Sequence, residues 1–500
     1  MKHIKEGSKP SIGIYTIGLH HYWNQFSGLK ERLTGYGQFI ERKMAGFGTA
    51  DLFNFGLVDT AEAGKLAGGY FNEHHVDLIF CHAGTYVTSA CVLPVHQECN
   101  APVVVLNLQP ASRINYEKTT TGEWLAHCGA CVIPEISNAF NRSGIPFRMV
   151  SGLLGLSETP DISLTDEVTK NRPEAIRAWR EIEEWILAAS VKRGLMGARF
   201  GYLGNTYSGM LDLYSDFTML QAQTGIHVEV LEMCDLERQM RLVTEQEEEE
   251  KKKEIYQMFE ISEDSASDPI ARKPDEGQLM WSAKVAAAQE RLVKEFGLDG
   301  LAYYYHGSEG GYYEKLQGGF IVGNSLLTAK GIPCAGEGDI KTALAMKICD
   351  MLKVGGSFCE IVVTDYEDGT ILLGHDGPFH LDIAKGKPIL RGMGMYHGKQ
   401  GTGVSVETKV KTGEITTLNV TQTGDGKLKF ISSEAMSTAG TIMAIGNTQT
   451  PVKFSKDPDS YMKQWFMEAP THHFAMSLGH NAGLFDKVAD LMKINHVILK

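Results

Sequence analysis

Apolar runs alternate with amphipathic segments along the first third of the chain. Short apolar runs predict strands of a parallel sheet covered on both faces, at Ser11–Ile17, Val76–Cys81 and Val103–Leu106. The spacing of apolar residues predicts helices over Leu29–Ala45 and Asp166–Val191. Residues 1–190 are therefore expected to form an open α/β domain, in which ligands bind at the loops that follow the strands.

The same alternation continues through the middle of the chain. Strands are predicted at Ala198–Leu203, Val228–Leu231 and Leu301–Tyr305. The run Glu245–Glu254 places acids three or four residues before lysines, which favours an exposed helix over an acidic interaction surface. The polar segment Ser262–Gly277 is predicted as a loop. A second open α/β domain is therefore expected over residues 191–350.

After about residue 355 the pattern changes to short β-type runs separated by glycine and asparagine turns, which is typical of an antiparallel barrel or sandwich. The predicted strands are Ser357–Val363, Thr370–Leu373, Gly403–Val406, Glu414–Thr421, Leu428–Ile431 and Thr441–Ile445. A helix near Leu484–Met492 and a strand at His496–Leu499 close the chain. The predicted fold is α/β, with two open parallel-sheet (flavodoxin- or Rossmann-like) domains followed by a β-barrel-like domain over residues 351–500.

Composition narrows the class of protein. The 500 residues carry 61 acidic and 48 basic side chains, a formal net charge of −13, and no basic patch stands out, so a nucleic-acid partner is not expected. Neither an apolar leader nor a long apolar run is present, so we expect no membrane partner and a cytoplasmic location. Nine scattered cysteines fit a reducing compartment, and Cys128 and Cys131 are expected to be structural.

Two loops of the α/β regions are candidates for ligand contact. The loop after the first predicted strand holds His20, His21 and Trp23. The glycine-rich segment Gly204–Met210 follows a later strand, but it lacks both a G-x-G-x-x-G pattern and a Walker lysine. Nucleotide binding is therefore not favoured.

Candidate chemistry is concentrated between residues 336 and 375. The candidate metal ligands are Glu337, Glu360, His375 and, downstream in the segment P-T-H-H-F, His472 or His473. Two carboxylates with an imidazole suit Mn²⁺ or Mg²⁺ better than a metal that prefers thiolates. The pattern predicts a site for a hard divalent cation.

A purely structural interpretation is open for the same residues. Glu337 and Asp339 precede a helix predicted over Lys341–Leu352, and negative charge at that position stabilises a helix dipole. His375 in G-H-D-G is also typical of a turn.

The order and composition of these segments resemble the L-arabinose isomerase family. The likeness rests on A-G-E-G-D-x-K-T-A at 335–343, G-S-F-x-E at 356–360, L-G-H at 373–375 and the histidine pair at 472–473, and the order of these blocks extends it over most of the chain. The resemblance implies a Mn²⁺ site, with Co²⁺ or Mg²⁺ as substitutes. Its implied ligands are Glu337, Glu360, His375 and His473.

The resemblance implies a metal-dependent aldose–ketose isomerase, an intramolecular oxidoreductase of the L-arabinose to L-ribulose type. Such an enzyme moves hydrogen between C1 and C2 of a pentose or related sugar through an enediol or enediolate. Glu337 and Glu360 are the expected acid–base residues. Asp339 and Lys341 are candidates to orient the ligands, with surface ion pairing equally open.

The substrate contacts expected for a monosaccharide are His20, His21, Trp23, Trp124, His127, Met210 and His472. The N-terminal loops are expected to reach the pocket of a neighbouring protomer in a homo-oligomer, a hexamer or a trimer, so that active sites are shared. Local bonding within their own domain is the alternative.

The chain departs from the family pattern around the expected sugar pocket. Ile361 and Val362 stand where the family carries Asp-Tyr, and His21 is the family residue that clearly survives in the first loop. L-Arabinose itself is therefore not implied as the substrate. A metal-dependent hydrolase and a non-catalytic sugar-binding protein remain open as alternatives.

Overall fold

The computed structural model describes residues 9–158, 168–263, 270–307, 310–393, 395–396, 399–400 and 402–500, with backbone alone for 395–396 and 399–400. The chain divides into two compact units, one that ends at Arg193 and one over Gly194–Lys500. Residues of the second and third predicted domains belong to the same unit. The predicted boundary at residue 350 stays a prediction.

The first unit is a parallel sheet in the order β2-β1-β3-β4-β5, a doubly wound arrangement. Its strands are β1 (Ser11–Ile17), β2 (Asp51–Val58), β3 (Leu78–His82), β4 (Val103–Gln109) and β5 (Phe147–Leu153). Its helices are α1 (Leu29–Ala45), α2 (Ala61–Glu73), α3 (Ser89–Glu98), α4 (Thr121–Ala126), α5 (Gly129–Arg142) and α6 (Pro173–Leu195). The predicted strands and helices of this region are confirmed, except at the start of the last predicted helix. Residues 168–172 are irregular and that helix begins only at Pro173, while residues 166–167 lie outside the described residues.

The second unit begins with another parallel sheet, in the order β11-β10-β6-β7. The strands of this part are β6 (Arg199–Gly204), β7 (His227–Leu231), β8 (Glu260–Ile261), β9 (Ala271–Arg272), β10 (Gly300–Tyr304) and β11 (Cys334–Ala335). The helices are α7 (Phe217–Thr224), α8 (Met233–Leu242), α9 (Glu245–Met258), α10 (Glu276–Phe296), α11 (Tyr312–Gln317), α12 (Phe320–Ala329) and α13 (Ile340–Met351). Strands β8 and β9 pair instead with β14 (Ile389–Met393), which also pairs with β17 (Val404–Glu407).

The chain then forms a closed antiparallel barrel in the order β18-β21-β12-β13-β20-β19, and pairing between β18 and β19 closes it. The strands not yet given are β12 (Gly355–Asp365), β13 (Thr370–His375), β15 (Met395–Tyr396), β16 (Lys399–Gln400), β18 (Gly413–Gln422), β19 (Leu428–Ser437), β20 (Thr448–Phe454), β21 (Phe474–Leu478) and β22 (Asn495–Leu499). The remaining helices are α14 (Pro458–Met467) and α15 (Ala482–Leu491). The predicted class, open parallel α/β sheets followed by a β-barrel-like region, is confirmed.

Two local predictions are wrong. Thr441–Ile445 is irregular, and the chain enters a strand only at Thr448. The predicted loop Ser262–Gly277 contains β9 and the first residues of α10, because Asp275 accepts the N–H of Gln278 at 2.7 Å and so caps that helix. Residues 264–269 of this loop lie outside the described residues.

Across the described part of the chain, no helix combines the length and apolar character needed to cross a membrane.

Candidate metal centre

Barrel pairing brings together three of the four predicted ligands. Strand β12 lies between β21 and β13, with Cys359 opposite Phe474 and Glu360 opposite Gly374. His375 ends β13, and His473 immediately precedes β21. Glu360, in the middle of β12, is therefore a neighbour of His375 at the end of β13 and of His473 just before β21.

The fourth predicted ligand, Glu337, lies in a tight turn between β11 and α13. Its φ of 58° is left-handed, an unfavourable conformation for a residue with a side chain. The Glu337 carbonyl accepts the N–H of Tyr207 at 3.0 Å, and the Gly338 N–H donates to the Tyr303 carbonyl at 3.0 Å. At Gly338 a Cβ would lie 2.5 Å from the Asn205 carbonyl oxygen, so the turn requires glycine there.

The Glu337 carboxylate faces both histidine rings. Its Oε2 lies 3.4 Å from His473 Nε2, and its Oε1 lies 3.9 Å from His375 Nε2. The two imidazoles have their centroids 5.2 Å apart, and Phe358 packs 4.7 Å from the His375 ring and 4.4 Å from the His473 ring. The result is a compact set of one carboxylate and two imidazoles against an aromatic wall.

This set fits a divalent cation. Among the described residues, Glu337 Oε2 and His473 Nε2 are buried and make no hydrogen bond, although buried polar atoms are nearly always hydrogen-bonded. Two imidazoles and a carboxylate form a ligand set used for Mn²⁺, Fe²⁺ and Co²⁺. Each of the three residues offers a ligand atom within 4.8 Å of the others.

The backbone around His375 is fixed by the next barrel strand. The Thr448 hydroxyl accepts the His375 N–H and donates to the His375 carbonyl, both at 2.9 Å. At Gly374 a Cβ would lie 1.9 Å from the Thr448 carbonyl oxygen, which explains the glycine before this histidine. Asp376 Oδ1 lies 2.9 Å from His375 Nδ1 without the geometry of a hydrogen bond. His375 is therefore not merely a turn residue, because it is the last residue of β13 and lies beside the cluster.

Asp339 joins the helix to His473. Its carboxylate caps α13 by accepting the N–H of Thr342 at 3.0 Å, and its Oδ2 lies 3.0 Å from His473 Nδ1. Burial lowers the pKa of His473, but the hydrogen bond to Asp339 and the nearby Glu337 carboxylate outweigh it and raise that pKa to about 9. The helix-capping interpretation is confirmed for Asp339. Surface ion pairing of Asp339 and Lys341 is wrong, because both side chains are completely buried.

Glu360 belongs to a second, overlapping cluster with His472 and His473. Its Oε2 contacts His472 Nε2 directly. Burial raises the pKa of Glu360, but the hydrogen bond to His472 and the nearby imidazoles outweigh it and hold the pKa below its usual value. The four predicted ligands and His472 thus form two triads that share His473, and in the second triad Glu360 contacts His472.

A cavity of about 160 Å³ adjoins the Glu337 side of the cluster. Its walls include Tyr207, Tyr303, Tyr304, Phe320 and Val404 beside Glu337 and His375. The Tyr207 and Tyr304 rings stack at 4.8 Å. Met210, a predicted substrate contact, is not among the described residues that line this cavity. It directly precedes the 3₁₀ turn Leu211–Leu213.

The remaining predicted substrate residues lie in the first unit. His20, His21 and Trp23 form and follow a 3₁₀ turn after β1, Trp124 lies in α4, and His127 directly follows that helix. His20 and His21 have ring centroids 3.8 Å apart, and Trp23 Nε1 donates to Asp59 at 2.7 Å. His127 Nδ1 lies 2.8 Å from the Glu123 carbonyl oxygen, and Trp124 is 52% exposed. Local bonding thus exists at Trp23 and His127, and a role of these loops in sugar binding stays a prediction.

Sequence reasoning missed the groups that hold the histidine pair. Asn419, inside the barrel, donates its amide to the carbonyls of Thr471 at 3.0 Å and His473 at 2.7 Å. Asp212 accepts the His472 N–H at 2.8 Å. Asn419 could have been identified as a polar residue at an inward position of the predicted strand Glu414–Thr421. No feature of the sequence identifies Asp212.

No protein-family model matches the chain, and no curated protein matches it. Among solved structures, the chain is similar to a ligand-free, open substrate binding protein with adhesive properties from Clostridium difficile, at 12% identity. That match covers 69% of this chain and 95% of the other, with a TM-score of 0.15. A likeness of this size supports no conclusion about fold or function.

Proposed function

We propose that this protein is a divalent-metal-dependent aldose–ketose isomerase. The observation that carries the proposal is the cluster of Glu337, His375 and His473, with buried ligand atoms that lack hydrogen bonds, beside the Glu360–His472 pair. A cation site next to a separately held carboxylate combines the two functional groups that hydrogen transfer between C1 and C2 requires.

In the proposed site Glu337, His375 and His473 hold Mn²⁺, or Co²⁺ or Mg²⁺ in its place, and the remaining steps belong to side chains of this chain. The bound cation supplies polarisation of the sugar carbonyl and its neighbouring hydroxyl. Phe358, packed against both imidazoles, excludes water from one side of the site. The cavity lined by Tyr207, Tyr303 and Tyr304 holds the rest of the sugar.

Glu360 Oε2 is the proposed group that removes the proton from C2 and returns it to C1, while the proton of the C2 hydroxyl passes to the former carbonyl oxygen on C1. Its carboxylate is ionised at neutral pH, because the hydrogen bond to His472 outweighs the effect of burial on its pKa. His472 contacts the same oxygen and keeps the carboxylate oriented. Glu337, in contrast, is oriented toward the histidines as a ligand, so we assign the acid–base role to Glu360.

The resemblance to L-arabinose isomerases supports the same proposal and extends it. It favours a pentose or related sugar, a cytoplasmic homo-oligomer, a hexamer or a trimer, and sites shared between protomers. The changed residues Ile361 and Val362 follow Glu360 directly, and Val362 is 53% exposed. The sugar preferred by this protein is therefore proposed to differ from L-arabinose.

The test is a panel of aldoses incubated with the full chain and Mn²⁺, followed by proton NMR in D₂O. If the protein is an isomerase, we expect the ketose to form. We also expect deuterium from the solvent at the carbon that receives the proton, when the transferred proton exchanges with the solvent. Sugar binding without any ketose would leave a sugar-binding protein. A parallel incubation with glycosides tests the other alternative, since release of a cleaved product there would favour the metal-dependent hydrolase.

A further inference from the structure

The two neighbouring histidines of the site are held in different ways. His473 is fixed through its ring by Asp339, at 3.0 Å. His472 is 48% exposed at its side chain, and the ring contacts Glu360. Its orientation therefore depends on the backbone that carries it.

That backbone is held from two sides. From the barrel interior, Asn419 binds the carbonyls of Thr471 and His473, and its Oδ1 accepts the Thr471 N–H at 3.3 Å. From the opposite side, Asp212 Oδ2 accepts the His472 N–H at 2.8 Å. The N–H and carbonyl groups bound in this way leave little freedom for the peptides on either side of His472.

Asp212 lies in the short 3₁₀ turn Leu211–Leu213, which one buried lysine holds in place. Lys341 Nζ donates to the carbonyls of Asp212 at 3.0 Å and Leu213 at 3.2 Å, and to the Ser215 hydroxyl at 2.8 Å. The Lys341 side chain is completely buried in the first turn of α13. Burying an ammonium group is costly, and an apolar side chain of the same length would avoid that cost.

We infer that Lys341 and Asp212 are positioning residues for the Glu360–His472 pair, acting through the turn Leu211–Leu213. Helix α13 then fixes both histidines from its first turn: Asp339 holds the His473 ring, and Lys341 holds the turn that anchors the His472 backbone. The inference rests on the proposed function for its catalytic meaning. The physical connection from Lys341 to His472 has a test that does not depend on activity.

The alternative is that Lys341 only stabilises the fold, and the same helix provides a matched control. Lys347 is also buried in α13 and donates to the Gly331 carbonyl at 2.8 Å, away from the histidine pair. Lys341→Met and Lys347→Met each remove one buried ammonium group from the same helix. A purely structural role predicts similar consequences for both variants.

The first measurement is amide hydrogen exchange in the segment that contains His472, made on the full chain by mass spectrometry. Asp212→Ala and Lys341→Met are expected to raise exchange there at least ~10-fold, because both release the His472 N–H. Lys347→Met is expected to leave this segment protected. Asp212→Asn keeps an oxygen acceptor and is expected to restore most of the protection.

The second measurement is turnover with the sugar and metal that the wild type uses. Asp212→Ala and Lys341→Met are expected to lower kcat at least ~10-fold, the scale of losing an outer partner of an active-site residue. KM for the sugar and the affinity for Mn²⁺ are expected to change much less, since Glu337, His375 and His473 keep their own contacts. Asp212→Asn is expected to recover kcat.

The two measurements separate failure of this inference from failure of the proposed function. Unchanged exchange at His472 in Asp212→Ala, or equal effects of the two lysine variants, would overturn the positioning role. Asp212→Ala carries the test even where Lys341→Met does not fold, because Asp212 is exposed. A wild type that isomerises no aldose would overturn the proposed function, and the exchange result would still decide the connection.

Discussion

His96 in the first unit and His473 in the second are both buried, but their surroundings differ in charge. His96 Nε2 lies 3.0 Å from the Tyr15 hydroxyl, and burial lowers the pKa of His96 to about 3. His473 faces Asp339 and Glu337, and the pKa of its ring is raised to about 9 in spite of burial. A buried imidazole beside a neutral hydroxyl is kept neutral as part of a core, whereas one beside two carboxylates lies where positive charge is favoured.

The two parallel sheets show a related difference. Both follow a doubly wound order, and both carry polar loops after their strands. In the second unit the turn after β11 directs Glu337 toward two barrel histidines, so a sheet and a barrel together supply the ligands. In the first unit the corresponding loops hold His20, His21 and Trp23. Among the described residues, none of these three belongs to a comparable carboxylate–imidazole cluster.

The largest expected effect is on the affinity for Mn²⁺, and it distinguishes His473 from His96. His473→Ala removes the ligand that both triads share, so the affinity for Mn²⁺ is expected to fall by more than ~100-fold, beyond the loss caused by removing an outer partner. His96→Leu is expected to leave that affinity unchanged. Calorimetric titration of both variants with Mn²⁺ makes the comparison, and equal affinities would place the cation elsewhere.

Removing the proposed acid–base residue comes next. Glu360→Gln keeps the size of the side chain but removes its charge, so turnover is expected to fall at least ~100-fold, the lower end of the contribution of general acid–base catalysis. Cys128→Ser and Cys131→Ser serve as controls in the first unit, and their turnover is expected to match the wild type. A cysteine variant that folds but has no activity would show that the site is wrongly placed.

A smaller effect is expected from the residue behind His473. Asp339→Asn weakens the hydrogen bond that orients the His473 ring, and such outer partners change metal affinity by roughly 10- to 100-fold. The measurement is Mn²⁺ affinity at constant pH, with thermal unfolding of the same sample to detect loss of the helix cap. Wild-type affinity in a folded Asp339→Asn protein would contradict this orienting role.

The smallest expected effect is on the free energy of unfolding at acid pH, and it comes from two buried histidines of the first unit. Burial lowers the pKa of His96 to about 3 and that of His82 to about 4, from an ordinary value of 6.5. A histidine with a lowered pKa contributes stability that is complete above pH 6.5 and is lost as the pH falls through 6.5 toward the folded-state pKa. At pH 5 each of these two histidines is expected to lower the free energy of unfolding by about 2 kcal/mol.

Denaturant unfolding of the full chain between pH 7 and pH 5 measures this loss. His96→Leu is expected to reduce the loss of stability between pH 7 and pH 5 by about 2 kcal/mol, since the contribution of this imidazole is gone. The same slope in wild type and variant would show that His96 takes up no proton in this range on unfolding.

Much of the fold is predictable because the hydrophobic pattern has a distinct period in each region. The run Ser11–Ile17 is buried at every position, as a strand covered on both faces should be, and Leu29–Ala45 is a helix with the predicted bounds. Thr441–Ile445 shows the limit of this reasoning. Its β-branched and apolar residues resemble a strand, but barrel pairing uses Thr448–Phe454 instead, and tertiary pairing decides between neighbouring segments.

The site is predictable in its residue types but not in its grouping. Local motifs indicate Glu337, Glu360, His375 and the histidine pair, and the structure brings all of them together. Their spacing along the chain contains no information on which ones face each other, so the contact of Glu360 with His472 follows only from the barrel register. Asp212 and Asn419 act through backbone groups, and such contacts leave no motif in the sequence.

The most direct test of the central claim is a titration of metal-stripped protein with Mn²⁺, in which bound Mn²⁺ and aldose-to-ketose turnover are followed in the same sample. We expect no turnover after treatment with EDTA, and a rise in proportion to the bound metal up to a single Mn²⁺ per chain, with Co²⁺ able to replace it. Full turnover in the metal-stripped protein would contradict the claim that Glu337, His375 and His473 hold a cation needed for isomerisation.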